Sequence, residues 1–114
     1  MSDIRDIMVA VSKATDVPIS DLIGEKRIRS VVVPRQMVMF IAAERTNLAY
    51  VRIGKELGGR DHTTVLSGLR HFQWRLENSK KLQGTVQLVN AALNKFEAPP
   101  MFRSRRPQMM VATQ

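Results

Sequence analysis

Asp61, His62, Thr63 and Thr64 place a carboxylate, an imidazole and two hydroxyls at consecutive positions. Two chemistries can use such a run: acid–base or nucleophilic catalysis, or a hydrogen-bonding edge that reads another molecule. Catalysis finds little support. His62 and His71 are the only histidines, and their nine-residue spacing puts them on nearly opposite sides of a helix, so one chain cannot clamp a metal between them. Asp61 and His62 resemble a catalytic pair, but adjacent residues within a helix do not face each other. Ser67, the nearest hydroxyl nucleophile, has no independent base. A phosphate-binding Gly-x-x-x-x-Gly-Lys-Ser/Thr loop is absent. Cysteine is absent too, which excludes disulfides, thiolate zinc sites and a cysteine nucleophile. The chain reads as a non-enzyme with no cofactor and no metal site.

The reading option needs elements that present these side chains. Gly58 and Gly59 precede them; Gly58 can end one helix and Gly59 can bend the chain, because glycine takes φ > 0 at little cost. Asp61 can cap the following helix by accepting from backbone N–H groups of its first turn. Tyr50 to Leu57, with Ile53 and Leu57 on one side, forms the helix before the turn. The helix after it buries Val65, Leu69, Phe72 and Leu76. Two short helices around a tight turn, the second opening on polar side chains, is the helix-turn-helix arrangement for the major groove. In that setting Asp61 can accept from a cytosine amino group, His62 can donate to a base acceptor or a phosphate, and the Thr63 methyl can meet a thymine methyl. Thr64 is placed for a phosphate.

Other helices support this pair. Ile4, Ile7, Met8 and Val11 fall at helical spacing in a first helix ending near Asp16, before Pro18. Pro18 to Gly24 forms a short helical turn, and Glu25 to Ser30 a polar, basic loop. Val31-Val32-Val33 leads into a helix whose first turn holds Pro34. Its broad apolar face of Met37, Val38, Phe40, Ile41 and Ala42 predicts a central position. A last helix spans Leu82 to Phe96, with Val86, Val89, Leu93 and Phe96 in line.

Charge points to a polyanion. Lys and Arg number 18 against 10 Asp and Glu, a formal balance of +8. The loop Lys26-Arg27-Ile28-Arg29-Ser30 can follow a DNA backbone or push an arginine into a narrow A·T-rich minor groove. Arg35, beside free N–H groups at the start of the Pro34 helix, is placed to hold a phosphate. No apolar run is long enough to span a bilayer, and the N-terminus lacks a signal-peptide pattern. The expected setting is cytoplasmic and nucleoid-associated.

Gly58-Gly59-Arg60-Asp61-His62-Thr63-Thr64-Val65 resembles the signature of the C-terminal DNA-binding domain of the bacterial replication initiators of the DnaA family. Arg27-x-Arg29-Ser30, Pro34-Arg35-Gln36-Met37, Thr46-Asn47 and Ile53-Gly54 extend the match at ungapped spacing. The resemblance implies an all-α, Trp-repressor-like helix-turn-helix bundle of about six helices binding double-stranded DNA at origin boxes. It implies that Asp61, His62 and Thr63 read bases in the major groove and that Arg27 enters the minor groove. It implies that Arg29, Arg35 and Gln36 hold the backbone; Lys26, Arg60 and Thr64 join them as expected backbone contacts. Val33, Ala43 and Tyr50-Val51-Arg52 depart from the family pattern, which shifts phosphate contacts and flanking preferences.

Residues 1–96 are expected to form this domain, and 97–114, rich in proline and arginine, a disordered basic tail. The initiators' ATPase module does not fit within 114 residues. A free-standing regulator of transcription or replication is therefore expected. The competing reading is an interaction protein acting on the initiator or RNA polymerase with weak DNA binding.

Overall fold

A computed structural model describes residues 4–94 of the 114-residue chain. Among these residues the fold is all-α, with six helices: α1 (Ile4–Thr15), α2 (Ile19–Leu22), α3 (Arg29–Arg45), α4 (Tyr50–Glu56), α5 (His62–Glu77) and α6 (Lys80–Asn94). The predicted end of the last helix at Phe96, the domain limit at 96 and the 97–114 tail lie outside the described residues.

The expected stripe of α1, Ile4, Ile7, Met8 and Val11, is buried. The helix ends where Asp16 adopts φ 61°, a left-handed conformation that aspartate tolerates better than most residues. α3 is the central element and packs against α1, α2, α4 and α5, while α6 covers α1 and α5. Met37, Val38, Met39, Ile41 and Ala42 are buried along α3, and the Phe40 ring meets Phe72 of α5 with centroids 5.2 Å apart. In α5, Val65 and Phe72 are fully buried; Leu69 and Leu76 are half-buried against the same core. Arg45 ties α3 to α6 by donating to Asn90 Oδ1 at 3.1 Å and Asn94 Oδ1 at 2.8 Å.

The start of α3 corrects the sequence reading. The helix begins at Arg29, so Ser30 and Val31-Val32-Val33 are helical and Pro34 sits inside the helix rather than in its first turn. Pro34 lacks the N–H that would bond to the Ser30 carbonyl. Burial of Val31 and Pro34 against the core offsets that loss. The start of the helix, with its first N–H groups, therefore lies at Arg29 and Ser30, not beside Arg35, since Val31 N–H already donates to Ile28 O at 2.9 Å; the expected phosphate seat at Pro34-Arg35 does not exist in that form.

Candidate nucleic-acid interface

The turn between α4 and α5 is built by backbone geometry. Gly58 and Gly59 take φ 81° and 77°. Gly59 N–H donates to Lys55 O at 3.1 Å and Arg60 N–H to Gly54 O at 2.7 Å, closing the chain back onto α4. Asp61 then caps α5 from an extended conformation, accepting from the Thr63 backbone N–H at 3.4 Å and from the Thr63 hydroxyl.

Asp61, His62, Thr63 and Thr64 are all exposed at this end of α5. Because Asp61 is the cap and not yet helical, its Oδ1 lies 3.5 Å from His62 Nδ1. The expectation that the two do not face each other is thus corrected. The pair is open to solvent. The Thr63 hydroxyl, first among several causes, holds the Asp61 carboxyl below its ordinary value. Thr63→Ala is expected to move that titration back up, followed by NMR of the Asp61 carboxyl; an unchanged midpoint contradicts this role. Since the folded value lies below the unfolded one, the cap contributes fully above the unfolded value. That contribution is lost as pH falls through the folded value.

Two clefts flank this end of α5. One, about 300 Å³, lies between α3 and α5 and is lined by Arg35, Gln36, Arg60, Thr63, Thr64, Ser67 and His71 among others, with no carboxylate among the described residues. The other, about 610 Å³, runs beneath the basic loop past Arg27, Arg35, Gly58, Arg60 and Thr64. Arg35, Arg60 and Thr64 border both. Sequence reasoning missed Ser67 and His71 as cleft residues; their i, i+4 spacing after Thr63 was the available signal.

Arg35 differs most from expectation. Only 5% of it is exposed. Its Nε donates to Leu22 O at 2.9 Å, Nη1 to Lys26 O at 2.9 Å and Nη2 to Asp21 O at 2.7 Å. Of the five guanidinium N–H groups, three therefore hold the segment that carries Lys26 and Arg27. Arg35 is foremost a strut for the basic loop, not a free hand for a phosphate. Arg60 is similar: it donates to Leu57 O and Gly24 O, joining the end of α4 to the loop. Burial pushes both guanidiniums below their ordinary value, and the Arg60 charge adds to the effect on Arg35. Both stay charged. Gln36 is 9% exposed and its Oε1 has no partner among the described residues. An amide turned end for end would aim its NH₂ there instead.

Lys26, Arg27 and Arg29 are exposed along the loop and the start of α3, with Lys26 paired to Asp21 at 3.3 Å. The structure thus brings Arg27, Arg60, Thr63 and Thr64 to the two clefts, which Arg35 also borders, while Asp61 and His62 are exposed beside them at the start of α5.

Comparison with known proteins agrees with this architecture. Residues 4–71 match the family model described as the bacterial DnaA protein helix-turn-helix. The chain is 42% identical over 91 residues to the chromosomal replication initiator protein DnaA of Enterococcus faecalis, covering 80% of this chain and 20% of that one. It is 37% identical over 95 residues to the same-named protein of Thermomicrobium roseum, covering 83% and 20%. For that of Treponema pallidum the identity is 36% over 88 residues, covering 77% and 19%. The chain therefore spans about a fifth of the length of these relatives.

Proposed function

The chain belongs to the bacterial DnaA helix-turn-helix family, and from that premise we propose that it binds double-stranded DNA sequence-specifically, as a regulator of transcription or replication at sites resembling initiator boxes. The observation that carries this reading is the capped, exposed start of α5. Four hydrogen-bonding side chains project there beside a cleft bordered by arginines and, among the described residues, free of carboxylates. The fit to DNA is chemical. A helix end of this kind enters the major groove, where Asp61 accepts from cytosine N4, His62 donates to a base acceptor and the Thr63 methyl meets a thymine methyl. The loop of Lys26 to Arg29 lies along the adjoining backbone, with Arg27 reaching the minor groove. Arg29 and Thr64 take phosphates, joined by whatever donors Arg35, Gln36 and Arg60 leave toward the clefts.

Attraction and discrimination then separate experimentally. Equilibrium binding to a preferred duplex and to its scrambled version, across a salt series, is the test. Thr63→Ala is expected to lose about 1–3 kcal/mol on the preferred duplex alone, with the salt slope unchanged. Arg29→Ala is expected to weaken both duplexes alike and to reduce the salt slope by about 1. Equal losses on both duplexes for Thr63→Ala contradict its base-reading role.

A further inference from the structure

Trp74, the chain's only tryptophan, is 65% exposed. It borders a groove of about 370 Å³ between the second half of α5, the start of α6 and the first half of α3, with Pro34, Met37 and Leu82 as apolar lining. None of its lining residues borders the cleft at the start of α5. Trp74 lies about 16 Å further along the helix than Thr63, at about 1.5 Å per residue. Cations rim the groove: Arg75 and Lys81 line it and, among the described residues, no carboxylate does. Arg75 Nε is buried and meets no acceptor among the described residues. An exposed indole over apolar floor, beside an arginine lacking an acceptor, matches a ligand with an apolar side chain next to a carboxylate.

We propose that this groove docks an acidic segment of a partner protein carrying a bulky apolar side chain. That side chain packs on Trp74 over Met37 and Leu82. A carboxylate meets the Nη groups of the Arg75 guanidinium, since Nε is buried, and a second faces Lys81. Charge selects this occupant over the chain itself. A second copy carries +8, and residues 95–114 hold Lys95, Arg103, Arg105 and Arg106 against Glu97. An acidic segment seated there leaves the start of α5 open.

Because Trp74 is the only tryptophan, its fluorescence reports the groove directly. The full chain is titrated with the capped hexapeptide Asp-Glu-Leu-Phe-Glu-Asp, with a version bearing lysine at every acidic position, and with a random-sequence duplex. The expected result is a saturable shift in Trp74 emission below about 1 mM acidic peptide and none with the lysine version. Arg75→Gln and Lys81→Gln, each checked for helical content, are expected to weaken that response, Arg75→Gln by about tenfold. A saturating duplex is expected not to displace the peptide. No saturable response, or an equal one to the lysine peptide, overturns the proposal. An emission shift with protein concentration alone reassigns the groove to a second copy. Displacement by duplex that Arg75→Gln abolishes reassigns it to DNA.

Discussion

Gly58→Ala is expected to lower stability by about 2–4 kcal/mol, among the larger losses available to a single methyl group here. Two effects combine. Gly58 sits at φ 81°, where an L-residue is strained, and its new Cβ would lie 2.1 Å from the Ile23 carbonyl oxygen and 2.9 Å from Arg60 Nη1. The first contact is with backbone, so relief requires moving the 23–27 loop away from the α4–α5 turn. Gly59 separates the effects. Its φ is 77°, and a methyl group there would meet nothing within 4 Å, so Gly59→Ala should lose only the backbone contribution, about 1–2 kcal/mol. Denaturant unfolding of both variants reads the difference; equal losses contradict the role of the Ile23 contact. Any surviving Gly58→Ala fold should also bind DNA less well, because the turn sets where Asp61 to Thr64 project.

Arg35→Ala should match it in size by another route. It leaves the carbonyls of Asp21, Leu22 and Lys26 without their shared donor and opens a space in the interior, a loss of about 2–4 kcal/mol. It also frees the segment bearing Lys26 and Arg27, so DNA affinity should fall on every sequence. Arg35→Lys separates positioning from charge. A single ammonium keeps the charge but cannot reproduce a planar fork directed at three carbonyls. Lysine is therefore expected to restore neither stability nor affinity; full recovery of DNA binding with lysine contradicts the role of Arg35 as a strut.

Much of this architecture was legible because apolar periodicity and turn chemistry agree locally. Ile4, Ile7, Met8 and Val11 announce α1, and Val65 and Phe72 the inner face of α5. The glycine pair and Asp61 mark the turn and cap with their own conformational signature. The start of α3 was not legible. Three β-branched valines followed by proline favour extended chain locally, and only burial of Val31 and Pro34 in the assembled core makes that stretch helical. Arg35 was hidden for a different reason. Its partners are backbone carbonyls 9 to 14 residues away, and carbonyls carry no sequence identity. Its arginine therefore looks the same on paper whether it faces a phosphate or the protein interior. The Asp61–His62 contact was missed because the two straddle the helix boundary, where helical spacing rules do not yet apply.

Whether the start of α5 reads DNA sequence is decided by selecting bound duplexes from a random pool with the full chain, then measuring affinity for the winner and its scrambled form. One enriched motif is expected, bound at least about 1,000-fold more tightly than the scrambled duplex, with that ratio falling by about 5- to 150-fold in His62→Ala. A pool that stays unenriched, or a ratio that His62→Ala leaves intact, contradicts a sequence-reading role for this helix end.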